Sequence, residues 1–298
     1  MSKEIERIIN EMHKAMEEQQ FENEMEANAF MQEFIQKYNK NIMQGKSQKL
    51  DAYDYLEMAE NAIDQEEAIQ NAKKALKLDP FCLDAELIIA QNQAVDMEEL
   101  KKKVEKIIQK GEKQLVQRNI RKEEDAGHFY GIFETRPYMR VRKEYLDLLI
   151  AQGRYGHAIR EAEELIQLSE NDNLGVRYLL MALYSCFEDE DKAINLIKKY
   201  PGDSAFMLLP LIALYYKLED TKKMKSYIRQ LKKANPELQE ALESLESPNA
   251  PENVAEIMLS PMYTPFSMEE IVLAYSSAMF LYAPMTGFLD MLYDEVVR

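Results

Sequence analysis

The sequence predicts an all-α fold, and three features of its composition lead to that prediction. Nine glycines and ten prolines are few for 298 residues, because the two residue types together usually make up about 12% of a chain. A chain so poor in turn-forming residues cannot be divided into many short strands, which excludes a β-sandwich or β-barrel. Hydrophobic residues make up 46% of the chain and charged residues 30%. The chain can therefore build a core with a solvated surface, and it is not a low-complexity disordered segment.

The sequence contains internal repeats, since four segments share the pattern of the second helix of a helical hairpin. Ala158 and Ala193 are 35 residues apart, and Ala193 and Met224 are 31 residues apart. These spacings bracket the 34-residue tetratricopeptide repeat. A single hairpin cannot bury its apolar side, whereas stacked hairpins share a continuous core. The pattern therefore predicts a tetratricopeptide-like right-handed helical solenoid with capping helices. The second-helix segments are 66–80, 153–172, 189–201 and 221–236, and the first-helix segments before them are 53–63, 138–153, 176–187 and 206–220.

The same pattern divides the chain into three parts. Residues 1–48 form an N-terminal helical cap with apolar residues on one side, among them Ile5 and Met12. Residues 49–236 hold the tetratricopeptide-like repeats, including a degenerate central pair at about 82–125. Residues 237–298 form C-terminal capping helices. The repeat pattern ends at Pro236, so we expect a loop there, which carries Pro248, Pro251 and Pro261 before two further helices at 252–259 and 267–282.

One stretch, Ile271 to Leu289, has nineteen residues without a charge, close to the ~20 that a membrane-spanning helix needs. Pro284 and Gly287 interrupt it, and no Lys or Arg cluster flanks it. We therefore expect a buried segment and no membrane partner.

The charged N-terminus lacks the apolar run of a secretory signal. Cys82 and Cys186 suggest no disulfide framework, so the expected location is cytoplasmic.

The charge balance is acidic, with a formal net charge of −16, which argues against nucleic-acid binding because that requires a basic surface. The charge is unevenly spread. Residues 237–298 carry eleven acids and one base, whereas residues 101–122 carry nine bases and two acids. Such runs usually mark solvated faces. The alternative is a charged surface that binds a partner.

Motifs for catalysis are lacking. The three histidines, His13, His128 and His157, have no metal-ligand spacing, and the chain contains no glycine-rich phosphate loop and no nucleophile elbow. The sequence therefore predicts no catalytic residues, no metal site and no cofactor.

The segment Gly127 to Arg140, GHFYGIFETRPYMR, carries the best candidate residues for binding: His128, Tyr130, Glu134, Arg136, Tyr138 and Arg140. In a structural interpretation, Glu134 pairs with Arg136 and the aromatic rings close the junction between repeats. In a binding interpretation, Arg140 and Lys143 face a concave groove that takes an extended peptide, since Arg binds carboxylates with two parallel hydrogen bonds. The candidate peptide-binding residues on this interpretation are Arg136, Arg140, Lys143, Asn173, Arg177 and Tyr178.

Together with KLDPFCLDAE, ENDNLGVRYLLMALY and PFSMEEIVLAYSSAMFLYAPMTGFLDML, this segment resembles a family of bacterial tetratricopeptide-repeat proteins of poorly defined role, and distantly the suppression-of-tumorigenicity family. The resemblance runs from about Leu50 to Leu292. The chain departs from it at Tyr130, Leu174 and Tyr282, where the family pattern has Trp, Gln and Trp. The resemblance implies an interaction scaffold and no reaction.

The predicted function is therefore that of a non-enzymatic scaffold or adaptor that binds a protein or peptide in its concave groove. A peptide-sensing regulatory receptor without its own DNA-binding domain is the alternative, and it would use the same groove.

Overall fold

The computed structural model describes residues 23–43, 50–247, 249–259 and 262–297, together with positions 7–9, 11–12, 15–16, 19 and 21. In this part of the chain the secondary structure is helical, apart from one isolated antiparallel bridge between His128 and Ser169. The predicted all-α class is confirmed. The helices are α1 (Glu24–Met43), α2 (Ala52–Glu60), α3 (Gln65–Leu78), α4 (Leu83–Gln93), α5 (Met97–Gln117), α6 (Arg136–Ala151), α7 (Tyr155–Leu168), α8 (Val176–Cys186), α9 (Glu190–Lys199), α10 (Ala205–Lys217), α11 (Thr221–Ala234), α12 (Leu238–Glu246), α13 (Ala250–Leu259), α14 (Met268–Ser277), α15 (Met279–Tyr282) and α16 (Phe288–Val297), with 3₁₀ turns at Phe129–Gly131 and Phe133–Thr135.

The chain divides into two compact units. The N-terminal unit comprises the described residues of 1–148 and 167–171, and the C-terminal unit comprises those of 149–166 and 172–298. Both units contain part of the predicted repeat segment 49–236, so the division into cap, repeats and cap stays a prediction. Ile5 and His13 lie outside the described residues.

In the N-terminal unit, α2 and α3 form the first predicted hairpin. Helix α2 packs against α3 and α4, α3 packs against α4, and α4 packs against α5. Asp64 caps α3 by accepting a hydrogen bond from the Glu67 amide at 2.8 Å. Alanines at positions 68, 72 and 75 of α3 are buried, so this helix lies close to its neighbours.

Gly111 sets the distance between three helices of this unit. A Cβ at this position of α5 would lie 2.7 Å from Cδ2 of Tyr138 on α6 and 3.0 Å from Cδ1 of Leu83 on α4. A larger residue here would force the Tyr138 ring and the Leu83 methyl group to shift, so glycine lets α5 pack closely against both side chains. The ring of Tyr138 is fully buried as a result.

In the C-terminal unit, α8 packs against α9 and α10, and α10 packs against α11 and α14. The uncharged stretch from Ile271 belongs to this core. It is divided between α14 and α15, and the chain leaves helical structure at Pro284 and Gly287 before α16 begins. Ile271 and Val272 are fully buried against the core of this unit. Among the described helices, none combines the length and the apolar character that crossing a membrane requires.

The predicted loop after Pro236 is wrong, because helix α12 begins at Leu238. Leu238, Ala241 and Leu242 are buried on one face of it, against α14 and α16. Apolar residues at i, i+3 and i+4 are typical of an amphipathic helix, but the prolines that follow favoured a loop. Pro251 lies in the first turn of α13, where its missing N–H is not needed. Pro248 and Pro261 lie outside the described residues.

Helix α8 has an unusual N-terminus. Its N-cap residue is Gly175, which has a φ of 66° and no side chain to cap the helix. Asp172 does so instead, accepting hydrogen bonds from the amides of Val176 at 2.8 Å and Arg177 at 2.9 Å. Burial raises the pKa of Asp172, and these two hydrogen bonds oppose the rise.

We expect Asp172→Ala to lower the free energy of unfolding by about 2 kcal/mol, because it leaves two amides of a helix N-terminus without their acceptor. Urea denaturation measures the loss. Hydrogen exchange at the Val176 and Arg177 amides should also become faster.

Asp64→Ala serves as the comparison, since Asp64 caps α3 through one exposed hydrogen bond and its loss should cost about 1 kcal/mol. Unchanged exchange at Val176 and Arg177 in Asp172→Ala would contradict this account of the α8 cap.

Candidate functional site

The six residues predicted to bind a peptide fall in both units. Arg136, Arg140 and Lys143 lie on α6 in the N-terminal unit. Asn173, Arg177 and Tyr178 lie at or near the start of α8 in the C-terminal unit.

Arg136 is held inside the N-terminal unit. Its side chain lies 3.9 Å from the ring centroid of Phe133 and 5.0 Å from that of Tyr130, and its Nε donates a hydrogen bond to the Tyr130 carbonyl at 2.9 Å. The residue is only 4% exposed. This position favours the structural interpretation of Arg136, in which it fixes the turns that precede α6.

Arg140 makes a two-pronged ion pair with Asp84 on α4. Its Nε lies 2.9 Å from Oδ1 and its Nη2 lies 2.6 Å from Oδ2. The Asp84 side chain is 9% exposed and that of Arg140 is 21% exposed. Because both carboxylate oxygens are engaged, this pair ties α6 to the first turn of α4. Lys143, one turn later, pairs with Asp147 on its own helix at 2.7 Å.

In the C-terminal unit, Arg177 and Tyr178 contact each other. The Arg177 guanidinium donates to Asp172 Oδ2 at 2.9 Å and to the Tyr178 hydroxyl at 2.6 Å. The Tyr178 ring also packs against that of Phe206, with centroids 4.9 Å apart. Asn173 is exposed. The polar groups of Arg177 and Tyr178 thus serve the α8 cap.

A cavity of about 220 Å³ opens beside Arg140 in the N-terminal unit, and we refer to it as the Arg140 cavity. Residues from α2, the α3–α4 loop, the first turn of α4, the C-terminal end of α5, the turn before α6 and α6 itself line it. The lining residues are Ala52, Tyr53, Leu56, Asp79, Phe81, Cys82, Asp84, Gln114, Arg118, Phe133, Glu134, Pro137 and Arg140.

Helix α5 holds one wall of this cavity in place. Lys110 donates a hydrogen bond to the Pro80 carbonyl at 2.8 Å, and Gln114 donates one to the Phe81 carbonyl at 3.3 Å. Asp79 accepts a hydrogen bond from the Phe81 amide at 3.0 Å. The α3–α4 loop therefore has a defined conformation, with the Phe81 ring half exposed at the cavity.

The charged side chains around the cavity differ in whether they are free to bind a ligand. Arg140 and Asp84 neutralise each other, whereas Arg118 is exposed and pairs with no carboxylate in the described part of the chain. Arg118 is therefore the cation that can meet a negatively charged group of a ligand. Arg140 is among the residues that the sequence predicts, whereas Arg118 is not, because it belongs to the basic run 101–122, whose pattern is typical of a solvated face.

Cys82 lines the same cavity. Burial, and then the nearby carboxylate of Asp84, raise the pKa of the Cys82 thiol to about 12. At neutral pH the thiol is protonated, so it packs as a small apolar group and does not act as a nucleophile.

Metal-ligating side chains do not gather in this cavity or elsewhere in the described residues: no three His, Cys, Asp or Glu side chains are grouped in a way that could hold an ion.

Compared with known proteins, the chain matches no family model and no curated protein.

Removing one partner of the Arg140–Asp84 pair should destabilise the protein, because it leaves the other charge buried and unpaired. We expect Arg140→Met and Asp84→Leu each to lower the free energy of unfolding by about 2–4 kcal/mol. The double variant should lose less than either single variant, since no charge then remains unpaired. Urea denaturation of the four proteins measures this coupling.

The pair Lys143 and Asp147 provides a matched control on the same helix. The corresponding variants Lys143→Met and Asp147→Leu should each cost less than about 0.5 kcal/mol, as expected for an i,i+4 pair. Additive losses in the Arg140 and Asp84 variants would contradict the tie between α6 and α4.

The two thiols should differ in reactivity. Burial raises the pKa of both thiols, and it raises that of Cys82 to about 12. We therefore expect iodoacetamide to alkylate Cys82 more slowly than Cys186 at pH 8, as mass spectrometry of the peptides can show. In concentrated urea the rates should become equal. Faster labelling of Cys82 in the folded protein would contradict the environment described for it.

Proposed function

We propose that the chain is a non-enzymatic interaction scaffold with tetratricopeptide-like, right-handed stacking of its hairpins, and that the Arg140 cavity binds a peptide segment of a partner protein. The observation that carries the proposal is the cavity itself, which combines apolar and polar lining residues and has at its edge an arginine that pairs with no carboxylate in the described part of the chain. The two free cysteines suit a reducing compartment such as the cytoplasm.

The order of helix packing supports the scaffold. In the N-terminal unit α2 contacts both α3 and α4, and α3 contacts α4. In the C-terminal unit α8 contacts both α9 and α10, and α9 contacts α10. In both units a first helix therefore packs on its own second helix and on the next first helix, which is the neighbour-to-neighbour packing of stacked hairpins.

The size of the Arg140 cavity favours a peptide side chain over a substrate or cofactor. Its volume of about 220 Å³ is below the ~300–1,000 Å³ that is typical of small-molecule sites. Leu56, Phe81 and Phe133 offer apolar contacts to an inserted side chain. A leucine or aromatic side chain of the partner is the class of group that fits this interior.

Polar groups at the edge would fix the rest of the peptide. Gln114 and Arg118 lie on one side of the cavity at the end of α5. The guanidinium of Arg118 can donate hydrogen bonds to a peptide carbonyl or a carboxylate. The preferred ligand is therefore an extended peptide with a bulky apolar residue next to an acidic residue or a C-terminal carboxylate.

Peptide display on the full-length chain tests the proposal. Selected peptides should share the pattern of an apolar residue next to an acidic one. The double variant Phe81→Ala/Arg118→Glu should bind them at least about tenfold more weakly, since it removes one apolar contact and reverses one charge. Fluorescence anisotropy with a labelled selected peptide gives the dissociation constants.

A matched double variant in the other unit controls for general effects. Phe187 is 55% exposed, close to the 52% of Phe81, and Arg229 is an exposed base like Arg118. Phe187→Ala/Arg229→Glu should leave the affinity within about twofold of that of the unaltered protein, a difference within ordinary surface effects. Equal weakening by both double variants, or peptides without a shared pattern, would overturn the assignment of this cavity.

A further inference from the structure

A second concave surface lies in the C-terminal unit, and it shares no lining residue with the Arg140 cavity. It has a volume of about 1060 Å³, and we call it the acidic groove. Helices α12 and α13, residues 262–264 and the start of α14 form it. Its lining residues are Glu240, Glu243, Ser244, Ser247, Asn253, Glu256, Ile257, Met262, Tyr263, Thr264, Met268 and Glu269.

The charge of this groove is one-sided, since four of its lining residues are glutamates and none is basic. Glu240 and Glu256 pair with no lysine or arginine among the described residues. The segment 237–298 that supplies the groove contains eleven acids and one base. Nearby on α12, burial and the carboxylates of Asp290 and Asp294 raise the pKa of Glu246. The lining of the groove is therefore negatively charged.

Apolar side chains are exposed in the same groove. Met262 is 81% exposed and Tyr263 is 37% exposed, and Ile257 and Met268 line the groove beside them. Leu259, next to the groove on α13, is 85% exposed. Methionine adapts its shape to different partners, which suits a surface that binds amphipathic segments. Exposed apolar groups with a charged rim are typical of an interaction site.

Hydrogen bonds hold the walls of the groove in position. The Asn253 amide donates to the Ser244 hydroxyl at 3.2 Å, which joins α13 to α12. The Met268 amide donates to Glu237 at 2.7 Å, which joins the start of α14 to the segment before α12. Tyr263 packs against Phe206 of α10, with ring centroids 5.7 Å apart. These contacts give the groove a defined shape before any ligand binds.

We propose that the acidic groove binds a basic amphipathic helix of a partner protein. Lysines or arginines on one face of that helix would meet Glu240, Glu243 and Glu256, while its apolar face would cover Met262 and Tyr263. Charge complementarity selects this occupant, because a groove with four carboxylates and no base repels an acidic segment or an anionic lipid surface. The proposal is independent of the peptide proposed for the Arg140 cavity, since the two sites share no residue.

The test uses the full-length chain and a labelled synthetic peptide with leucines and lysines arranged as an amphipathic helix. A scrambled peptide of the same composition keeps the charge but loses the apolar face. Fluorescence anisotropy at low and high salt compares the two. We expect the amphipathic peptide to bind at least about tenfold more tightly than the scrambled one, and salt to weaken its binding.

Two variants locate the binding site. Glu240→Gln/Glu256→Gln should weaken binding about fivefold, since it removes two carboxylates. Met262→Ser should also weaken binding, and it leaves the fold intact because the side chain is exposed. The control Glu57→Gln/Glu67→Gln removes two exposed acids from the N-terminal unit and should leave the affinity unchanged.

Three outcomes would overturn the proposal. Equal binding of the scrambled peptide would show attraction to net charge alone. Equal weakening by the control variant would show that no particular acids are involved. A concentration-dependent dimer in sedimentation experiments, dissociated by Met262→Ser, would show that a second copy of the chain occupies the groove.

Discussion

Small side chains at helix contacts are the constraint on which the arrangement of these helices depends. A hairpin cannot bury its apolar face alone, and two helices approach within about 8–10 Å only where the side chains between them allow it. Ala72 and Ala75 on α3 are completely buried, and Gly111 on α5 has space for no side chain at all. This close approach fixes where the first turn of α4 lies. It thereby places Asp84 within reach of Arg140 and shapes the Arg140 cavity.

The two charge runs of the sequence have different physical consequences. In the basic run on α5, Lys101 pairs with Glu105, Lys103 with Glu99 and Lys110 with Glu86. Acids at helical spacing or on the neighbouring helix neutralise much of this run, as expected for a solvated face. The acidic run at 237–298 has a single base within it, and part of it lines a groove. Local pairing, and not the length of a charge run, decides which surface can attract a charged partner.

Local patterns predicted most of the helices, because the period of apolar residues depends only on nearby residues. They failed at α12, where the prolines that follow outweighed the short apolar pattern of Leu238, Ala241 and Leu242. The candidate sites were harder to predict. Arg140 was identified, but its partner Asp84 is 56 residues away, and Phe81 and Arg118 join the same cavity from two other segments. Such contacts depend on tertiary packing, and the residue pattern of a single sequence does not show which distant segments come together.

The pairing of Arg140 changes how its contribution to binding must be understood. A guanidinium that already makes two hydrogen bonds to a carboxylate would have to give them up to bind a ligand, and this would leave Asp84 buried and unpaired at a cost of several kcal/mol. Arg140 is therefore a positioning residue that holds α4 against α6. Attraction for a ligand must come from groups that keep unused hydrogen-bonding capacity or charge, such as Arg118 at the cavity and Glu240 and Glu256 in the groove. The contacts of Arg136 also favour a structural role, because its Nε donates to the Tyr130 carbonyl and its guanidinium packs against the Phe133 ring.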